Sequence, residues 1–183
     1  GMLWPILDRI FDLNLKFENT AEAIAQREHF LKKQKIGVCD IVHSAEREKI
    51  DASDLGMQNV VLRDLVGYLQ KYPNIDTLLF TGGNSKNGPE YFFRRQLKEH
   101  GLELEIVSDE VPRIHQFELP LKSNDMSVRA QSRTIKTVSL TAPSGAANRA
   151  VGSLQLYKYL KGKNPKFNTL DFRVMQYREF FKY

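Results

Sequence analysis

The sequence predicts an α/β protein built on a largely parallel sheet. Short apolar runs of strand length alternate along the chain with longer stretches whose apolar residues recur at helical spacing. Three of the apolar runs end directly in polar or glycine-containing segments, the usual carboxyl-end pattern of open α/β sheets. With 183 residues, 42% of them hydrophobic, the chain has material for one packed core, and a single domain over residues 2–183 is expected.

The elements follow in order. Met2–Asp12 carries Leu3, Ile6, Leu7 and Ile10 at helical spacing, while Gly1 reads as an added residue outside the fold. Asn19 or Thr20 caps a helix reaching about Lys33, with Glu22 favourably placed in its first turn. Ile36–Val42 reads as a buried strand and His43–Asp54 as a polar loop, with Ser53 or Asp54 as a cap. Val60, Val61, Leu65 and Leu69 predict a helix over Val60–Lys71, broken by Tyr72-Pro73-Asn74. Ile75–Phe80 is a continuous apolar strand covered on both faces. It enters Thr81-Gly82-Gly83-Asn84 and a helix over Pro89–His100. Leu102–Val107 and the alternating, exposed Arg113–Leu121 are strands, Lys122–Gln131 is a polar loop, and Thr134–Leu140 is the last strand. Helices over Ala147–Lys161 and Thr169–Lys182 close the chain, joined through Lys163–Asn168.

Composition narrows the function classes. The formal charge of +5, from 27 Lys and Arg against 22 Asp and Glu, suits a polyanionic partner but is also ordinary for solubility. No apolar run reaches the roughly 18 residues of a membrane span, and no signal peptide precedes the first helix, so no membrane partner is expected. The single Cys39 cannot form an internal disulfide and fits a reducing cytoplasm. One cysteine and four scattered histidines show no metal-ligand spacing, and no dinucleotide or Walker-type motif occurs, so neither metal nor cofactor is expected. A bulky apolar helix with no residue to cap it predicts a missing element upstream of Met2. That gap would open a sheet edge or apolar groove, for which a homodimer is one cover.

Three strand ends are candidate sites. In Asp40–Arg47, Asp40 and His43 are the carboxylate–imidazole pair closest in sequence at such an end; either a water-positioning base or a structural role suits them. Gly82, Gly83 and Asn84 follow the second strand, where glycines make a tight turn or let backbone approach an anion. In Thr141–Arg149, Pro143, Ser144 and Gly145 make a stiff turn, and Asn148 and Arg149 add donors suited to a phosphate backbone. Ser144 as a plain helix cap is the alternative, and it leaves Arg149 unexplained.

These segments, in this order, resemble the uracil-DNA glycosylase superfamily. Gly37–Glu48 (GVCDIVHSAERE) looks like a segment of its hypoxanthine-type and mismatch-specific branches, and Pro73–Asn87 is similar to its next strand. Val138–Ala150 (VSLTAPSGAANRA) resembles its last motif, and Met2–Leu7 (MLWPIL) its opening helix. The resemblance spans about Leu3 to Leu160 and implies a three-layer α/β/α sandwich with a short, mainly parallel sheet. It also implies base flipping and hydrolysis of an N-glycosidic bond in damaged or mismatched duplex DNA. On this resemblance Asp40 reads the edge of the flipped base, Ser144, Gly145 and Asn148 press on the minor groove and phosphates, and Arg149 contacts a phosphate. Ser44, Glu46 and Arg47 match family positions, with Glu46 and Arg47 bracing the loop as the alternative. The family's first motif, which supplies a water-activating Asn or Asp, has no counterpart here, and 122–133 looks like an insertion. Asp40 and His43 are then the catalytic candidates.

The leading expectation is therefore a DNA repair glycosylase acting on uracil, hypoxanthine or a related deaminated base. Two alternatives stand beside it: a non-catalytic nucleic-acid-binding module of the same fold, and an α/β enzyme that holds a free nucleotide through Gly82–Asn84.

Overall fold

A computed structural model describes residues 1–50, 54–122 and 131–181. Ser53 and most of the predicted Lys122–Gln131 loop lie outside these residues, as does the last residue of the predicted Thr169–Lys182 helix. The chain forms two compact units: 40–142 is one, and 1–39 with 143–183 is the other.

The 40–142 unit opens with a strand the sequence did not predict. Ile36–Asp40 is irregular, and β1 runs over Val42–Arg47, where a loop was expected. It pairs antiparallel with β2 (Met57–Leu62), Val42 opposite Leu62 and Arg47 opposite Met57. Helical spacing of Val60 and Val61 with Leu65 suggested a helix there, but two adjacent β-branched residues also suit a strand, and pairing decides. Asn59, at φ +49°, marks an irregularity in β2. The helix α3 starts at Leu65 and ends at Lys71. Asp64 caps it by accepting from the Gly67 amide at 2.9 Å. Gln96 closes the same end, accepting from Val66 N and donating to Arg63 O at 2.7 Å.

The main sheet is mixed, which corrects the expectation of a mainly parallel one. Its order is β3 (Thr77–Phe80), β6 (Ser132–Ser139), β5 (Arg113–Pro120), β4 (Glu105–Ser108). Only β3 and β6 run parallel; β6 with β5 and β5 with β4 are antiparallel. The short link between β4 and β5 forces that reversal, since a parallel return needs a long crossover. The long route from β3 through α4 (Pro89–Glu99) supplies the one parallel pair. The predicted exposed strand, β5, instead lies between two partners and buries His115, Phe117 and Leu119 on one face. These join Phe80, Phe92, Phe93, Leu97, Leu69 and Ile135 in the core of the unit.

The other unit gathers five helices. α1 (Leu3–Phe11) buries Ile6, Leu7 and Ile10, as their spacing predicts, and α2 (Ala21–Gln34) takes Thr20 as its cap. The predicted Ala147–Lys161 helix is two helices: α5 (Asn148–Ser153), preceded by a 3₁₀ turn at Gly145–Ala147, and α6 (Gln155–Lys163). They part at Leu154, whose extended backbone (ψ 133°) no helix accommodates. α7 (Thr169–Phe181) buries residues nearly all round, packing Phe172 against Val151 and Tyr157. Among the described residues, no helix is long and apolar enough to cross a membrane.

Candidate functional site

The 40–142 unit holds Asp40, His43, Ser44, Glu46, Arg47, Gly82, Gly83 and Asn84 of the candidates singled out by sequence. Asp40 lies just before β1, exposed, and its Oδ1 accepts from the Val42 amide at 3.1 Å, a local turn that starts the strand. His43, Ser44 and Arg47 are exposed on β1 itself. Among the described residues, no hydrogen bond joins Asp40 to His43. Asp40 and Arg47 instead share an electrostatic neighbour, Asp54. Burial raises the Asp54 pKa above the ordinary carboxylate value, Arg47 opposes that shift, and Asp40 adds to it.

Asn87 ties this region to the glycine turn. It is nearly buried, adopts φ +64°, and its Nδ2 donates to Asp54 O at 2.8 Å and to Met57 O at 3.3 Å. The turn is dense. A Cβ at Gly82 would meet Pro89 Cδ at 2.8 Å, and one at Gly88 would meet the Gly83 carbonyl oxygen at 2.5 Å. Gly82 is thus needed for packing against the start of α4, whereas Gly83 faces open space and Asn84 is exposed. Around the Gly82 turn, Gly83 and Asn84 are open to a ligand, as are the exposed Thr81, Ser85 and Lys86.

Behind that turn lies a polar cluster that the sequence did not announce. Glu90, fully buried in the first turn of α4, receives Arg94 Nε at 2.9 Å and Arg113 Nη2 at 3.2 Å on Oε1. Its Oε2 accepts from Ser139 Oγ at 2.7 Å. Arg94 Nη2 also lies 3.0 Å from Nε2 of fully buried His115. A guanidinium only donates, so His115 Nε2 must be the acceptor; the ring is neutral with its proton on Nδ1. Burial lowers the His115 pKa, against the pull of Glu90 and with the push of Arg94 and Arg113. The available signals were short-range: Glu90 and Arg94 sit one helical turn apart, and Arg113 and His115 share a strand face. Nothing local shows that the two pairs meet.

The second unit holds Pro143, Ser144, Gly145, Asn148 and Arg149. Ser144, Gly145, Asn148 and Arg149 are all exposed, on the 3₁₀ turn and the first residues of α5. Ser144 does not cap through its side chain; its carbonyl accepts from Ala147 N. The Pro143 carbonyl accepts from Met2 N at 2.9 Å, which fastens the loop to the start of α1. From inside, Arg173 on α7 reaches the loop. It is fully buried, donating Nη2 to Ser144 O at 2.8 Å and Nη1 to Asn148 Oδ1 at 2.9 Å and to Thr169 O at 3.2 Å. Burial lowers its pKa, and the neighbouring Tyr177 opposes that shift. The fork holds one loop end by backbone and the other by side chain, which a single ammonium would do less well.

That fork also sets the chemistry of Asn148. Because Arg173 only donates, the amide oxygen must face inward, and Nδ2, with two protons, is turned away from the guanidinium as a donor. The exposed start of α5 therefore carries an amide donor at Asn148 and a guanidinium at Arg149, donor types suited to phosphate or base-edge oxygens.

A cleft of about 280 Å³ in this unit, lined by Phe11, Leu13, Leu15, Gln26, His29 and Phe30 among others, contains none of the predicted residues. Among the described residues, no group of His, Cys, Asp and Glu is arranged to hold a metal ion. Comparison of the chain with protein-family models, with curated proteins and with solved structures finds no match.

Proposed function

We propose that this chain is a DNA-reading protein of the uracil-DNA glycosylase kind, a three-layer α/β/α sandwich that works in a reducing cytoplasm. Its substrate is a duplex carrying uracil, hypoxanthine or a related deaminated base. The base is flipped from the stack and its N-glycosidic bond is hydrolysed. The observation that carries the proposal is the Ser144–Arg149 loop, whose donors face solvent while a buried guanidinium holds its backbone. Such preorganisation is what a loop needs to meet a rigid polyanion without an ordering cost. The order along the chain of the segments at Asp40–Arg47, Gly82–Asn84 and Pro143–Arg149 supports the same reading. In it, Asp40 reads the base edge, and Gly83 and Asn84 are available to the sugar or phosphate.

A second reading, a lesion-binding module without catalysis, is favoured by one observation: Asp40 and His43 are both exposed, with no hydrogen bond between them. A buried, oriented pair is the usual arrangement of a catalytic base. The deciding experiment is abasic-site formation on duplexes bearing uracil or hypoxanthine, with an undamaged duplex as control. Strand cleavage after alkali at the lesion supports the glycosylase. Lesion-selective binding without cleavage supports the module, and neither result would remove both.

A further inference from the structure

We infer that α6 and the link after it form a sequence-independent track for a nucleic-acid backbone, separate from the Ser144–Arg149 loop that reads the site. The inference rests on the DNA-reading proposal for the identity of the polyanion, and on charge and exposure for the surface.

Residues 143–168 contain Arg149, Lys158, Lys161, Lys163 and Lys166 and no Asp or Glu. Their charge equals the +5 of the whole chain: removing those five cations from the 27 leaves 22 Lys and Arg against 22 Asp and Glu elsewhere. Solubility charge is mixed in sign over a surface; here the imbalance sits in one stretch, with four of its five cations on α6 and the link and Arg149 in the loop before them. The next acid, Asp171, is already paired with Arg9 at 2.8 Å and accepts from Asn168 N.

The stretch presents these charges outward. α6 turns Tyr157 into the core, and helical geometry then places Lys158, Gln155, Tyr159, Lys163 and Leu156 on the solvent arc. Lys158, Lys163 and Lys166 are exposed, and Tyr159 is 57% exposed with the Lys163 ammonium 4.6 Å from its ring centre. Lys161 has a different task, donating to the carbonyls of Pro165 and Phe167 and so fixing the link. Lys158 and Lys163 lie about 7.5 Å apart along the helix axis and about 140° apart around it, so they flank the exposed Tyr159 on its two sides. A membrane surface fits less well, because Leu156 is the one large aliphatic side chain exposed on this helix and anchoring needs an apolar face. An exposed tyrosine between lysines suits phosphate and base contact.

The test is fluorescence anisotropy over a salt series, using an undamaged DNA duplex and its uracil-containing counterpart. The variants are Lys158→Gln/Lys163→Gln/Lys166→Gln and a charge-matched control, Lys32→Gln/Lys33→Gln/Lys35→Gln at the exposed end of α2. The α6 variant is expected to flatten the plot of log affinity against log salt by about 2–3, near 0.9 per lost contact. Its affinity for both duplexes should fall by the same factor, its melting temperature should match the wild type, and the control should leave the slope unchanged. Equal slopes for wild type and the α6 variant overturn the track. So does the same flattening in the control, or binding of the wild type to anionic phospholipid vesicles in place of DNA. If the wild type binds both duplexes equally and the α6 variant still flattens the slope, the track stands and the lesion-reading proposal falls.

Discussion

Arg173 Nη1 donates to Asn148 Oδ1 at 2.9 Å, and this bond decides which end of the Asn148 amide is free to meet a ligand. Asn148→Asp separates the two jobs of the side chain. The carboxylate keeps an oxygen for Arg173, so thermal stability should hold or rise, while the donor is lost. Affinity for a lesion duplex should drop about tenfold or more, the value of one charge-assisted hydrogen bond. Ala150→Asp, an equal charge on an exposed neighbour, is the control. If it loses as much affinity, the donor at Asn148 is not what matters.

Arg173→Met should cost about 2–4 kcal/mol in urea denaturation, because it removes the guanidinium donor that Ser144 O, Thr169 O and Asn148 Oδ1 share and with it the link between α7 and the loop. Arg173→Lys keeps charge but cannot span both loop ends, so it should recover stability only in part and leave DNA affinity low. Full recovery by lysine would show that charge alone holds the loop.

Glu90→Gln tests the buried polar cluster. It leaves the Arg94 and Arg113 guanidinium groups facing each other without their shared anion. A loss of about 3 kcal/mol is expected, the usual result of removing one partner from a buried ion pair. The measurement is chemical denaturation at neutral pH, and a loss below about 1 kcal/mol would show that the arginines find water instead.

His115 gives the cluster a pH dependence of known sign. Its folded pKa lies below the model-peptide value of 6.5, so below that pH the unfolded chain binds a proton that the folded one resists. Stability should therefore rise with pH through the region just under 6.5 and be lost as pH falls across it. Denaturation midpoints from pH 5 to 8 should show this slope in the wild type and a flatter one in His115→Gln. A parallel slope in both proteins would move the effect to other groups.

Asp40→Ala bears on the base-reading role. Discrimination between uracil-containing and undamaged duplexes should fall severalfold while affinity for the undamaged duplex stays within about twofold, since base-edge contacts carry sequence information and phosphate contacts do not. Equal losses on both duplexes would remove Asp40 from recognition.

What the sequence made legible was local. Thr20 as a cap, the apolar stripe of α1, and the strand–turn–helix passage from Phe80 through Gly82 to Pro89 all depend on neighbours within a few residues. What it concealed depends on partners far along the chain. Val60 and Val61 fit a helix until Val42–Arg47 is known to lie beside them. His115 looked like one polar residue on an exposed strand because Arg94, which bonds its Nε2, is twenty-one positions away. Arg173 sits between Phe172 and Val174, and its charge argued for a surface that the loop it holds does not allow. The Thr141–Arg149 segment was identified as a donor-rich turn; the buried group that orders it was not.

The division of the chain has a consequence for biosynthesis. Residues 40–142 are contiguous and carry their own core, so they can collapse as soon as they leave the ribosome. The other unit joins 1–39 to 143–183, and α1 reaches its partner α7 only after more than a hundred intervening residues have been made. Residues 1–39 must wait for 143–183, with the apolar stripe of Ile6, Leu7 and Ile10 uncovered meanwhile. Nascent α1 is therefore open to chaperone capture until α7 is made, and the 144–149 loop gains its Arg173 brace only then.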